Sequence, residues 1–381
     1  MTVALPRNAQ VWLPGYIRSR LRHRRQHAAS ATQPTHVLFC IADHFEPDHG
    51  HASIAQERER VARWVSEYPA LADAFRDADG RSPQHTFFFP AEAYRPEHLD
   101  ALAAICADGF GEVEVHLHHG HDTSASLRSQ LERFTATLAD RHGLLSRHPD
   151  GRIAYAFIHG NWALDNGGLD ASTCGVNNEL TILRETGCYA DFTMPAAPNP
   201  AQSRVVNSIY YAQDDPNAPR SYDTGIRAGV TRRPPRDGLL LVEGPLMVWW
   251  PKPLTRLLPR IDSGTLDASP GNRPTAVRFA RWVDANITVE GRPDWVFVKV
   301  HTHGAPERNA ASLLGDDMRE FYRRVGEKFN DGTGFRLHYV TAREMYNIVK
   351  AAEAGKTGDP SGYRDFAIRC ITEPTQRPTR R

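Results

Sequence analysis

Four short stretches of this chain gather residues able to hold a divalent metal or to move a proton. The densest is Glu112-Val113-Glu114-Val115-His116-Leu117-His118-His119-Gly120-His121-Asp122, with four histidines and an aspartate in its last seven residues. Alternation along a strand sets Val113, Val115 and Leu117 on one face and Glu112, Glu114, His116 and His118 on the other. Imidazole and carboxylate are donors for a divalent ion, and three of them leave a tetrahedral position open to water. A second stretch, Ile41-Ala42-Asp43-His44-Phe45-Glu46-Pro47, places Asp43 and His44 directly after an apolar run. An Asp-His pair alone serves a turn or a cap as readily as a metal. A third, Val298-Lys299-Val300-His301-Thr302-His303-Gly304, puts His301 and His303 on one face where another strand ends. The fourth, His159-Gly160-Asn161-Trp162-Ala163-Leu164-Asp165, offers His159, Asn161, Trp162 and Asp165 as a substrate wall, the indole presenting a flat face to a sugar ring. A buried tryptophan beside an ordinary turn is the plainer alternative. Glu179 and Arg184, further on, read as surface charge or an intrahelical pair.

To act together, these groups must sit at one end of a common scaffold. The intervening sequence predicts strands over residues 36–41, 85–89, 112–118, 153–158, 190–193, 238–243, 295–301 and 335–340. Between them fall helices over about 54–77, 97–107, 178–186, 276–285, 313–329 and 342–354, and one opened by Thr123 or Ser124 as its cap. Repeated βα units imply a parallel sheet, closed or nearly closed into a barrel, with catalytic groups at the carboxyl ends of the strands. One segment breaks the rhythm. Residues 195–237 contain seven prolines and read as a folded-back excursion that walls or covers a pocket.

Composition narrows the classes. Lys and Arg number 46 against 45 Asp and Glu, a net charge of +1 that argues against a general nucleic-acid binder. No apolar run approaches the ~18 residues of a membrane span. Five cysteines (Cys40, Cys106, Cys174, Cys188 and Cys370) lie far apart in no CxxC pair. That pattern disfavours a disulfide scaffold and a thiolate zinc site, and favours a reducing, cytoplasmic setting. Residues 1–33 lack the apolar core of a secretory signal and carry Arg18, Arg20, Arg22, Arg24 and Arg25. A solvated, partly helical arm explains them, with an anionic membrane surface or an acidic partner as the functional alternative. Residues 34–355 would form the barrel, and 356–381, rich in Pro, Gly, Thr and Arg, a poorly ordered tail.

The order of these elements resembles the polysaccharide deacetylase family of carbohydrate esterases. That family runs a strand ending in Asp-Asp, a strand written Ala-Thr-Phe-Phe, then Glu-Ile-Gly-Asn-His with a second His four residues on. An Arg-x-Pro-Tyr-like loop follows, and later a strand ending in a catalytic His. The counterparts here are Asp43-His44, then His85-Thr86-Phe87-Phe88-Phe89, then Glu114-Val115-His116-Leu117-His118, then the 159–165 loop, and finally Val300-His301. Residues 183–192 also resemble the family's helix leading into a Gly-Tyr-x-x-Asp strand, and the likeness spans roughly residues 35–348.

The resemblance implies an α/β fold, a distorted parallel (β/α) barrel of about seven strands. It implies zinc-dependent deacetylation of an N- or O-acetylated sugar or glycan precursor, with Asp43 as general base and His301 or His303 as proton donor. Where the family has its second aspartate, this chain has His44. Pairing Glu112 with His116 puts Gly120 four residues on, whereas pairing Glu114 with His118 puts Asp122 there. The implied ligands are therefore His44, His118 and Asp122, with His116 on the same face, and His159 or Asn161 stands at the family's arginine. Two rivals remain. His-x-His pairs at strand ends also occur in amidohydrolase and phosphoesterase barrels, which tend to hold two or three metals. The substituted aspartate and missing arginine equally suit a non-catalytic carbohydrate-binding relative.

Overall fold

The computed structural model describes residues 5–27, 34–250 and 259–371, with the backbone alone for 24–27. In chain order the main strands are β1 (Thr35–His44), β2 (His85–Pro90), β3 (Gly111–Leu117), β4 (Ile153–His159), β5 (Cys188–Asp191), β6 (Ile209–Gln213), β7 (Gly238–Val242), β8 (Trp295–Thr302) and β9 (Phe335–Tyr339). The longer helices are α1 (Ala9–His27), α2 (Ile54–Ala72), α3 (Pro96–Ala107), α4 (Ser124–Ala136), α5 (Glu179–Glu185), α6 (Ala276–Asp284), α7 (Glu307–Leu313), α8 (Asp316–Phe329) and α9 (Ala342–Glu353). Side-chain caps start several of them. Ser53 with Gln56 opens α2, Thr123 with Ser126 opens α4 and Thr341 with Glu344 opens α9, each a reciprocal box worth roughly 1 kcal/mol.

The strands form one large, mostly parallel mixed sheet in the order β8–β1–β2–β3–β4–β5–β7–β6, with short strands Thr265–Leu266 and Ile226–Arg227 at its two ends. β9 pairs with the first half of β1, and β2 with its last residues, Ala42 to His44. The carboxyl end of β1 is thus flanked by β8 and β2. Both faces of β1 are buried, as a parallel strand requires. Val37, Phe39 and Ile41 join the cluster that includes Val61, Trp64 and Leu71 of α2. Leu38, Cys40 and Ala42 join the opposite cluster with Ala154, Ala156 and Ala190.

On that second face α9 packs with Met345, Ile348 and Val349. The sheet curls: Lys299 Nζ of β8 donates to the carbonyls of Phe192 and Met194 just beyond β5, five places away in the strand order, both at 2.6 Å. The carboxylates of β3 on this face also find protein partners. Glu112 binds Arg343 at 2.7 Å, and Glu114 accepts the Ala156 N–H at 2.6 Å and the Tyr189 hydroxyl.

Three expectations change. The proline-rich 195–237 segment is not a loose cover: it supplies β6, antiparallel to β7, and buries Gln202, Ser203 and Tyr210. The N-terminal arm is docked as α1, burying Trp12 against Ala197, Val206 and Leu246, while Arg20 binds Asp284. The side chains of Arg24 and Arg25 lie outside the described residues. At the other end the chain is packed well past Lys356, with Ile368 and Arg364 buried. The rest of the expected tail, 372–381, lies outside the described residues. Among those described, no helix is long and apolar enough to cross a membrane.

Candidate metal centre

The carboxyl ends of β1, β3 and β8 meet, and they bring histidines from all three. The His44 ring centroid lies 4.9 Å from that of His116 and 4.7 Å from that of His303, with His301 at 6.1 Å. Beyond the end of β1, the chain turns and returns Glu46 into the same space. Glu46 Oε1 lies 3.2 Å from His116 Nε2 and 3.6 Å from both His118 Nε2 and His303 Nε2. Its Oε2 binds His49 Nδ1 at 2.8 Å. Two sets of donor atoms are each close enough to share an ion: His44, Glu46 and His303, and Glu46, His116 and His118. Trp162 closes one side, its ring 4.9 Å from His44 and 5.1 Å from His301. The other side is open, because His118, its partner Glu92 and His303 are all partly exposed.

These residues fit a divalent metal. His44 is fully buried, yet neither of its ring nitrogens has a hydrogen-bond partner. Each orphaned group costs roughly 1–3 kcal/mol, a cost that ligation removes. His116 Nδ1 donates to the Ile158 carbonyl at 2.9 Å. In the neutral ring this leaves the Nε2 lone pair facing the Glu46 carboxylate, an arrangement that calls for a proton or a cation between them.

The charges agree. Burial, reinforced by His303, His116 and His301, pushes the His44 imidazole well below its ordinary value. Burial and then Lys299 do the same to His301. Burial opposes the charge on Glu46, but His116, His303 and His49 outweigh it and hold the carboxyl below the usual carboxylate range. At the rim, burial likewise opposes charge on His118, while Glu92 and Glu46 raise it.

Asp43 sits elsewhere. Fully buried on the side of β1 that faces α2, it accepts from His85 Nε2 at 2.8 Å and from the Gly304 N–H at 2.6 Å. Both carboxylate oxygens are therefore occupied, on the opposite side of the strand from His44. His301 is buried, with Nε2 2.9 Å from the Thr265 hydroxyl and Nδ1 unpaired.

The remaining expected site residues do not join this group. Asp122 Oδ2 lies 3.2 Å from His119 Nδ1, not beside His44 and His118. The His159 ring lies tilted against that of His119, their centroids 4.5 Å apart. Asp165 offers its backbone N–H to Glu179 at 2.6 Å, and Asn161 reaches the His119 carbonyl. Glu179, far from being surface charge, is fully buried with Cys174 beside it. Asp122 and His159 thus border a second buried cluster of His119, His159, Cys174 and Glu179. Glu46 had a signal in sequence, standing two residues beyond His44 in the same stretch. Cys174 had none, since nothing in its local pattern marks a ligand. No protein-family model and no curated protein matches the chain.

Proposed function

We propose that this chain is a metal-dependent hydrolase that removes an acetyl group from an N- or O-acetylated sugar. On this reading its curled sheet is a distorted (β/α) barrel of the polysaccharide deacetylase kind. The observation that carries the proposal is the Glu46 carboxylate set among the Nε2 atoms of His116, His118 and His303, beside the unpaired ring of His44. His44, Glu46 and His303, with His116 and His118, would hold the ion, and zinc suits this nitrogen-and-oxygen set. Zinc supplies Lewis acidity, making a neighbouring water more acidic and polarising an acyl carbonyl.

The protein's own groups do the rest. Glu46 is bonded through Oε2 to His49, whose side chain is 49% exposed, so a proton taken up there has a path to solvent. With Nε2–H of His301 donating to the Thr265 hydroxyl, the unpaired Nδ1 can accept a proton and pass it to the departing amine or alkoxide, which leaves the ring neutral again. Trp162 excludes water from the inner side and offers its face to a sugar ring. His118, Glu92 and His49 present donors and acceptors to sugar hydroxyls at the open rim.

Acetate release from a panel of N- and O-acetylated sugars is the test. Release should stop on removal of metal by a chelator, return with zinc, and be absent in Glu46→Gln. Turnover that persists in fully metal-stripped protein would overturn the proposal. A second reading has one observation in its favour: the two donor sets share Glu46, as a carboxylate bridging a metal pair would. That arrangement suits an amidohydrolase or phosphoesterase, and phosphate release from sugar phosphates without acetate release would select it.

A further inference from the structure

The cluster behind the candidate centre is closed, mixed in donor type and built from four separate pieces of chain. His119 follows β3, His159 ends β4, Cys174 lies in the loop between β4 and α5, and Glu179 opens α5. All four side chains are buried, with one donor atom from each lying within 4.8 Å of the others. His119 Nε2 stands 3.2 Å from Glu179 Oε1, Cys174 Sγ 3.4 Å from Glu179 Oε2, and His159 Nε2 3.9 Å from Glu179 Oε1. His159 Nε2 is buried without a hydrogen-bond partner.

We propose that His119, His159, Cys174 and Glu179 form a second, structural zinc site, distinct from the candidate catalytic centre. Three features support it. The set of two imidazoles, one thiolate and one carboxylate matches the tetrahedral, borderline-soft preference of zinc. Two backbone N–H groups, of Asn166 and Val176, approach Cys174 Sγ at 3.3 and 3.4 Å and would stabilise the charge of a metal-bound thiolate. Asp122 stands behind His119 Nδ1 at 3.2 Å, the carboxylate position that orients a metal-binding imidazole. The aspartate expected to be a ligand thus becomes the support of one.

Occupation sends the Cys174 proton to solvent and leaves each ring proton on the nitrogen facing away from the ion. For His159 that nitrogen is Nδ1, which here accepts the Asn161 N–H at 3.2 Å, so the Asn161 amide turns aside when zinc binds. The closed donor set leaves no position for substrate, which separates this site from a catalytic one. Its role is to clamp the two loops that deliver His118 and Trp162 to the front centre. Those loops touch directly: a Cβ on Gly160 would stand 2.3 Å from the His118 ring.

Cobalt(II) loading of the full chain tests this independently of activity. A thiolate-to-cobalt charge-transfer band in the near ultraviolet should appear in the wild type and persist in Glu46→Gln, which lacks the front carboxylate. It should vanish in Cys174→Ser, together with one equivalent of bound zinc. Absence of the band in the wild type, or its survival in Cys174→Ser, overturns the proposal. Should Cys174→Ser fail to fold, X-ray absorption of zinc-loaded Glu46→Gln decides instead. Sulfur at about 2.3 Å supports the site, and a shell of nitrogen and oxygen alone overturns it. Failure of the deacetylase reading alters neither result, because both concern only the thiolate.

Discussion

Asp43 and Glu46 stand on either side of His44 in sequence, and their surroundings give them opposite work. Asp43 is saturated by His85 and Gly304, whereas Glu46 faces three imidazoles. An asparagine at 43 keeps an oxygen for the Gly304 N–H, and its amide can donate to His85 once that ring shifts its tautomer. Asp43→Asn should therefore lower kcat less than about tenfold, where removal of a general base costs ~10²–10⁴-fold. A hundredfold loss with metal content intact would restore Asp43 to that role. Gly304→Ala should do more harm to the fold. Its Cβ would stand 2.2 Å from Asp43 Oδ2 and 2.7 Å from the Trp64 ring, an overpacking of roughly 1–3 kcal/mol readable in urea unfolding. An unchanged unfolding midpoint would show that Asp43 is free to move. At this scale His44, His116, His118, His301 and His303 were legible in the sequence, because each lies at a strand end where the period of two predicts its side. Glu46 lies past the strand, where that period no longer applies. Asp122 and His159 were assigned to the wrong neighbours because a loop's path, not a periodicity, decides whom they meet.

Among the elements, β1, β2, β4 and β8 were readable as apolar runs and β3 by its alternation, and the caps of α2, α4 and α9 stand where Ser53, Thr123 and Thr341 precede amphipathic stretches. What stayed hidden was β6, an antiparallel strand inside a segment whose prolines argue for a loop. Its stability comes from contacts distant in sequence. Arg220 donates to the carbonyls of Gly167, Pro200 and Gln202 and pairs with Asp223, tying the segment to the loop after β4. Arg220→Ala leaves those carbonyls without their donor and should cost roughly 2–4 kcal/mol of unfolding free energy. A mobile lid would behave differently, shifting KM at unchanged stability, so the pair of measurements separates the two roles.

Across the whole molecule, one polar relay joins parts of the chain that sequence reasoning treats as unrelated. Asp79, in the loop after α2, accepts from His338 Nδ1 of β9 at 2.8 Å and from Arg364 beyond α9 at 2.7 Å. His338 Nε2 in turn meets His36 Nδ1 of β1 at 2.8 Å. No local pattern announces this, because its members come from both ends of the described chain. Burial opposes the charge on Asp79, yet His338 and Arg364 outweigh it and bring the carboxyl from 3.8 down to about 2. A carboxyl that is more acidic folded than unfolded stabilises the fold above its unfolded value, and that contribution is lost as pH falls toward the folded one. The shift corresponds to about 2 kcal/mol, present at pH 5 and disappearing between about pH 4 and 2. Asp79→Asn removes the titration while keeping an oxygen for the same donors. Urea unfolding of both proteins across that range should show the wild type more stable at pH 5, with the gap narrowing as acid is added. Because every other titrating group is shared, parallel curves for the two proteins would mean that Asp79 does not bind the two ends of the fold through its charge.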